Sequence, residues 1–246
     1  MRLDICIPAH NEARILRQNC LKLLTFCREA KLNFDWQIVI IVNGSSDDSL
    51  AIAERLAEEN TEIKTIMYEQ GGKGNAIVSY WNESVADVLV FMDADLATKL
   101  SCLPSLLEPF LNTPEHTLVL GSRHISGAEV RRSWRRSIAS WVYNGISRLY
   151  LGHSLSDLQC GFKAISKDLF KKILPQILDR GWFFDTELVV WSLRTGATVK
   201  EIPVQWRENR SDHPSKISLL RDSRTFLRSL AALRKRLREQ ALTINN

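Results

Sequence analysis

Val88-Leu89-Val90-Phe91-Met92-Asp93-Ala94-Asp95 decides how this chain is read. Five apolar residues in a row mark a strand buried on both faces. Two carboxylates follow at once. Side chains at i and i+2 of an extended segment share a side, so Asp93 and Asp95 face one way and repel each other unless a cation lies between them. Mg²⁺ and Mn²⁺ take one or two carboxylates and complete their shell with phosphate oxygens. An aspartate pair that merely caps the next helix has the same spacing, and the pattern leaves both readings open.

Outward from this run, strands and helices alternate. Leu3–Ala9, Trp36–Val42, Ile63–Tyr68 and Thr117–Leu120 read as further strands. Helical spacing of apolar residues fills 11–28, 50–60, 74–85 and 103–111. A repeat of about 25 residues predicts βαβ units and a mainly parallel sheet with helices on both faces, a Rossmann-like α/β fold. Ligands of such sheets sit beyond the carboxyl ends of the strands. The polar clusters fall there: Asn11-Glu12, Asn43 to Asp48, Gln70 to Gly74, Asp93 to Asp95, and Gly121-Ser122-Arg123. After 123 the rhythm changes to an Arg- and Trp-rich helix over 131–151, a strand over 198–206 and a final basic helix. With no linker or repeat, one domain is expected over 1–246: a regularly alternating half (1–123), a second half that completes it (124–215) and a basic amphipathic tail (216–246).

Composition narrows the class. The 246 residues are 45% hydrophobic and 25% charged, ordinary for a globular chain and unlike a disordered or fibrous one. No stretch approaches the roughly 20 apolar residues of a membrane span, and Met1-Arg2-Leu3-Asp4 opens no signal peptide. Five cysteines without a CxxC pair fit free thiols in a reducing compartment. The expectation is a cytoplasmic protein able to sit on a membrane surface. Of the net charge of +5, residues 216–238 alone hold eight Lys or Arg against one acid, and Arg131, Arg132, Arg135 and Arg136 form a second knot. A nucleic-acid binder would share this charge, yet carboxylates at successive strand ends would repel phosphate without a metal.

Three further clusters could bear chemistry. Gly71-Gly72-Lys73-Gly74 could cradle a phosphate or be a plain turn. Arg123 and the 132–136 arginines offer planar forks suited to phosphate, interleaved with Trp134, Ile138, Trp141, Val142 and Leu149 as at a membrane interface or a core stripe. Asp185 in Trp182-Phe183-Phe184-Asp185-Thr186-Glu187-Leu188 suits a helix N-cap or a base of raised pKa. Cys160 reads as packing.

The order of the motifs is more specific than any one of them. Ile7-Pro8-Ala9-His10-Asn11-Glu12, Asn43-Gly44-Ser45-Ser46-Asp47, Gly72-Lys73-Gly74, Asp93 to Lys99, Gly121-Ser122-Arg123 and Asp157-Leu158-Gln159-Cys160-Gly161-Phe162-Lys163 occur in succession. Together they resemble the inverting GT-A glycosyltransferases of family 2, above all the dolichyl-phosphate glucosyl- and mannosyltransferases, over residues 3 to about 220. The resemblance implies a donor site of Pro8, His10, Glu12, Asn43 and Asp47 around the nucleotide, with Lys73, Arg207 and Lys216 on its phosphates. Asp93 and Asp95 would hold Mg²⁺ or Mn²⁺, and Arg123 with Arg136 and Ser140 would receive the acceptor phosphate. It implies transfer of a hexose from a nucleotide-diphosphate sugar (UDP-glucose before GDP-mannose) to a polyprenyl phosphate, by a peripheral protein on the cytosolic face of a membrane, and leaves room for a homo-oligomer. A soluble or polysaccharide hydroxyl acceptor, with Asp185 or Glu187 as base, is the alternative. The chain departs from the family at His10, where Tyr is common, at Val42-Asn43, where an Asp pair is usual, and at Ala97, where mannosyl enzymes often have Gln.

Overall fold

The structure is a computed structural model. It describes residues 1–208 and 219–244, without the side chains of 135, 136, 219–224 and 241–244. The strands are β1 (Arg2–Ala9), β2 (Asp35–Asn43), β3 (Ile63–Tyr68), β4 (Val88–Met92), β5 (Thr117–Ser122), β6 (Glu129–Arg131), β7 (Phe162–Ser166), β8 (Thr198–Pro203) and β9 (Gln205–Arg207). The helices are α1 (Ala13–Glu29), α2 (Ser49–Glu59), α3 (Lys73–Glu83), α4 (Leu103–Asn112), α5 (Trp134–Leu151), α6 (Lys167–Ile173), α7 (Phe184–Arg194) and α8 (Leu219–Ile244). A seven-stranded sheet runs β3-β2-β1-β4-β7-β5-β8.

Its first four strands are parallel and arise as the alternating pattern predicts. All five residues of β4 are buried, because the sheet separates two apolar layers. One layer holds α3, α7 and α8 residues such as Trp81, Trp191 and Leu233. The other holds α1, α2 and α4 residues such as Leu16, Leu56 and Phe110. The five cysteines are buried free thiols.

Two features were not expected. β7 enters between β4 and β5 and runs antiparallel to both. The 198–206 segment is two strands broken at Val204: β8 joins the main sheet beside β5, and β9 pairs with β6 in a separate two-stranded sheet. Antiparallel β7 brings its amino end, Gly161-Phe162, to the edge where the parallel strands present their carboxyl ends. That edge therefore receives residues from both halves of the chain.

Of the basic tail, α8 lays Leu230, Leu233 and Leu237 against the core layer of α3 and α7, with Leu227 exposed. Among the described residues no helix is long and apolar enough to cross a membrane.

Candidate active site

Asp93 stands one residue beyond β4, held by its amide, which donates to Gly161 O (3.2 Å). The carboxylate lies over that glycine so closely that a Cβ at 161 would stand 2.0 Å from Oδ2. Asp95 Oδ1 accepts from the Ala97 amide at 3.1 Å, and Leu96 between them takes a left-handed φ of +47°. This tight turn keeps both acids at the strand end. Trp206 of β9 closes one side through strand-like pairing: Lys99 N donates to Gln205 O and Arg207 N to Ala97 O, each at 2.8 Å. Met92, Asp93, Leu96, Ala97, Thr98, Gly161 and Trp206 line a shallow cleft.

The donor set suits Mg²⁺ or Mn²⁺: hard oxygens, a carboxylate 38% exposed, and space kept by the missing side chain of Gly161. Among the described residues no three His, Cys, Asp or Glu side chains converge as a metal cage. Such a cation would thus depend on substrate oxygens for part of its shell.

Four charges alternate behind Asp93. Lys73 Nζ lies 3.1 Å from Asp93 Oδ1 and 3.2 Å from Asp185 Oδ2, and Lys163 Nζ lies 2.5 Å from Asp185 Oδ1. Lys163, wholly buried in mid-strand, also donates to Cys160 O. Both ammonium groups face the Phe91 ring. Burial alone would lower the Lys73 pKa, but Asp185 and then Asp93 outweigh it and hold it above the ordinary lysine value.

The arrangement gives several of the expected residues partners within the protein. Asp185 is neither cap nor free base. Phe183 is the N-cap of α7, Asp179 Oδ1 accepts from the Gly181 and Phe184 amides, and both Asp185 oxygens face lysines. Glu187 is engaged as well: Oε2 accepts from the Leu178 and Asp179 amides, and Oε1 pairs with Arg236 of α8. The glycine loop packs against a later segment. The Gly74 and Asn75 amides donate to Gly181 O (3.1 Å) and Arg180 O (2.8 Å), and a Cβ at Gly72 or Gly74 would meet that segment at 2.6 to 2.9 Å. Arg123 donates from Nε and Nη2 to Asp157, at 2.7 and 2.9 Å. Burial opposes both charges of that pair; each partner outweighs it, lowering Asp157 and raising Arg123. Glu201 accepts from the Ser156 and Asp157 amides and braces the pair. The Cys160 thiol, pushed up to about 12 chiefly by burial, stays protonated.

The donor-side expectations gather at the ends of β1 and β2. His10 Nδ1 lies 2.8 Å from Asn43 O, and buried Asn43 donates to Gly72 O. Asp47 accepts from the Ala13 and Ser49 amides, stitching the starts of α1 and α2. Glu12 and Asp47 line a second opening of about 170 Å³ with Asn11, Arg14 and Ile15. Pro8, at the end of β1, is half-buried. Asn19 of α1 reaches across to Ala94 O (2.8 Å) and ties that helix to the aspartate turn. Arg207 is exposed beside Trp206. Lys216 and the Arg136 side chain lie outside the described residues, while Ser140 Oγ is 3.0 Å from His124 Nε2. Lys163, Asp157 and Glu201 were not singled out from sequence, although the first two stand inside the Asp157–Lys163 motif.

Above this edge α5 presents Trp134, Ile138, Trp141, Val142, Ile146 and Leu149 to solvent, with Trp134 68%, Trp141 65% and Leu149 88% exposed. Its other side is tied to the site: Asn144 Oδ1 accepts from the Leu158 amide, and Tyr143 and Gln159 both bond Thr186.

The site is thus a pair of aspartates at the end of a central strand of a mainly parallel sheet, with β9 paired alongside. The sequence matches the model of glycosyl transferase family 2 over residues 4–174. The chain belongs to that family and is a glycosyltransferase.

Three relatives describe its neighbourhood. Glycosyltransferase AglD of Haloferax volcanii is 34% identical over 224 residues, 90% of this chain but 35% of its own length. Dolichyl-phosphate beta-glucosyltransferase of Saccharomyces cerevisiae is 27% identical over 94% of this chain and 74% of its own. Polyprenol monophosphomannose synthase of Mycolicibacterium smegmatis is 28% identical over 84% and 78%. The chain thus spans about a third of the archaeal relative. Glucosyl-3-phosphoglycerate synthase from Mycobacterium tuberculosis, solved with Mn²⁺, UDP-glucose and phosphoglyceric acid, shares the fold at a TM-score of 0.65 and 17% identity, covering 95% of this chain and 79% of that one.

Proposed function

We propose that this chain transfers a hexose, glucose from UDP-glucose in the first instance, to a polyprenyl phosphate at the cytosolic surface of a membrane, inverting the anomeric carbon. The observation that carries the reading is the apolar, Trp-bearing face of α5, anchored through Asn144 to the segment that runs into Gly161 beneath Asp93 and through Tyr143 to Thr186 of α7. A water-soluble acceptor asks for no such surface, whereas a prenyl chain stays in lipid and brings only its phosphate to the cleft. The names of the yeast and mycobacterial relatives support the same acceptor class.

Asp93 and Asp95 would hold the divalent cation, which when bound neutralises the leaving diphosphate. The second opening, with Glu12, Asp47 and His10 near it, would take the nucleoside. An acceptor phosphate has its second pKa near about 6, so at neutral pH it is mostly a dianion and attacks without a general base. This fits a site whose buried acids, Asp185 and Glu187, are both engaged by cations. Those engagements disfavour the hydroxyl-acceptor alternative, which needs a base. In-line attack from the α5 side displaces the diphosphate once and inverts the sugar.

The test is transfer of labelled glucose from UDP-glucose with polyprenyl phosphate or soluble sugars as acceptor. Product is expected with the lipid phosphate alone. Asp95→Ala should lower that rate by about 10²–10³ or more with an unchanged melting curve. Equal transfer to a soluble sugar would overturn the acceptor, and metal-stimulated turnover retained in Asp95→Ala would overturn the metal assignment.

A further inference from the structure

We propose that Lys73 is a latch on the metal site: it neutralises Asp93 while no cation is bound and yields that carboxylate when the donor diphosphate brings one. The inference rests on the sugar-nucleotide reading above and adds the order of events within it. Three observations carry it. Lys73 Nζ already occupies Asp93 Oδ1 at 3.1 Å, and its side chain is only 8% exposed, so the contact is not a loose surface pair. Lys73 has a second anchor, Asp185 Oδ2 at 3.2 Å, so it can leave Asp93 without becoming an unpaired buried charge. Lys163 and the Cys160 carbonyl fix Asp185 and Lys163 in turn, so that anchor stays put in either state.

The charge count makes the exchange directional. Lys73, Lys163, Asp93 and Asp185 sum to zero, so the arriving cation finds Asp93 already balanced and must displace an ammonium from it. A cation that comes with a diphosphate supplies negative oxygens for that ammonium to meet, and the displacement then costs little. Cation and nucleotide therefore bind with strong positive coupling, and the cation alone binds weakly. Lys73 and Asp185 are positioning residues in this scheme.

Mn²⁺ binding to the full chain, read from the spectrum of the free ion with and without saturating UDP, tests this without turnover. Wild type should bind Mn²⁺ weakly alone and much more tightly with UDP. Lys73→Met should bind Mn²⁺ alone about tenfold more tightly than wild type, with the UDP coupling reduced by at least about that factor. Lys99→Met, which removes a positive charge outside the quartet, should match wild type. Lys73→Gln serves as a second neutral variant should the first fail to fold. The latch is overturned if neutral variants bind Mn²⁺ alone no better than wild type, if Lys99→Met gains as much, or if UDP leaves wild-type Mn²⁺ affinity unchanged. A wild-type chain that binds neither UDP nor Mn²⁺ defeats the sugar-nucleotide reading itself, a result distinct from those three.

Discussion

Alanine at 161 would drive its methyl into Asp93, so a substitution neutral in most strands should be felt here at the carboxylate. Gly161→Ala is expected to lose most of the rise in melting temperature that UDP with Mn²⁺ produces in wild type, while the ligand-free melt shifts by only a few degrees. A ligand-induced shift equal to wild type would show that Asp93 can move aside. The Arg123–Asp157 pair makes the opposite claim, one of stability. Asp157 is wholly buried, and Arg123→Ala would leave it without its cation, at about 3–5 kcal/mol by the usual cost of breaking a buried pair. Denaturant unfolding measures this, and loss of activity without loss of stability would return Arg123 to substrate binding. The sequence displays both aspartates but not their fates. Asp157 and Asp93 look alike in the chain; a partner 34 residues away consumes the first, and the second keeps an open face.

Elements differ in how openly their sequences declare them. The strands from β1 to β5 and helices α1, α2 and α4 read from periodicity alone, since each buries a face whose apolar spacing is local. β7 did not, because Phe162-Lys163-Ala164-Ile165-Ser166 carries a buried lysine at its second position. That lysine is tolerated through Asp185 on α7 and the Cys160 carbonyl, and spacing cannot reveal the first of these contacts. The glycine loop is opaque for a related reason: Gly72 and Gly74 make room for Arg180-Gly181, a segment more than a hundred residues later.

Two predictions belong to α5. Trp141→Glu should weaken binding to vesicles containing anionic lipid several-fold and leave UDP binding unchanged; sedimentation with vesicles measures it. At the helix end, His153 lies 3.0 Å from Ser147 Oγ, and its pKa is pushed down to about 4 by burial and then by Arg148. An unfolded histidine titrates near about 6.5. As pH falls through this window the unfolded chain takes up the proton first, so the contribution of His153 is full above about 6.5 and lost toward about 4. His153→Gln should flatten that part of the curve of melting temperature between pH 7 and pH 4.

The whole molecule is tied together by its last helix more than its charge suggests. A lipid anchor could be removed with little loss to the body, but α8 supplies Leu230, Leu233 and Leu237 to the core and Arg236 to Glu187 and Gln176 O. Truncation after 218 should therefore lower the melting temperature sharply, since even one buried Leu→Ala costs about 2–5 kcal/mol. A truncated chain as stable as the intact one, yet released from vesicles, would restore the anchor reading.

The antiparallel strand β7 has a consequence for synthesis. Until residue 166 has left the ribosome, β4 has bare backbone on one flank and β5 has no neighbour between it and the rest of the sheet. A nascent chain halted near 123 holds the aspartates but exposes an unzipped, wholly apolar edge, the kind of surface that invites mispairing between chains. Fragments ending there should collect in inclusion bodies, and the cell gains the protein only when the later half arrives to close the gap.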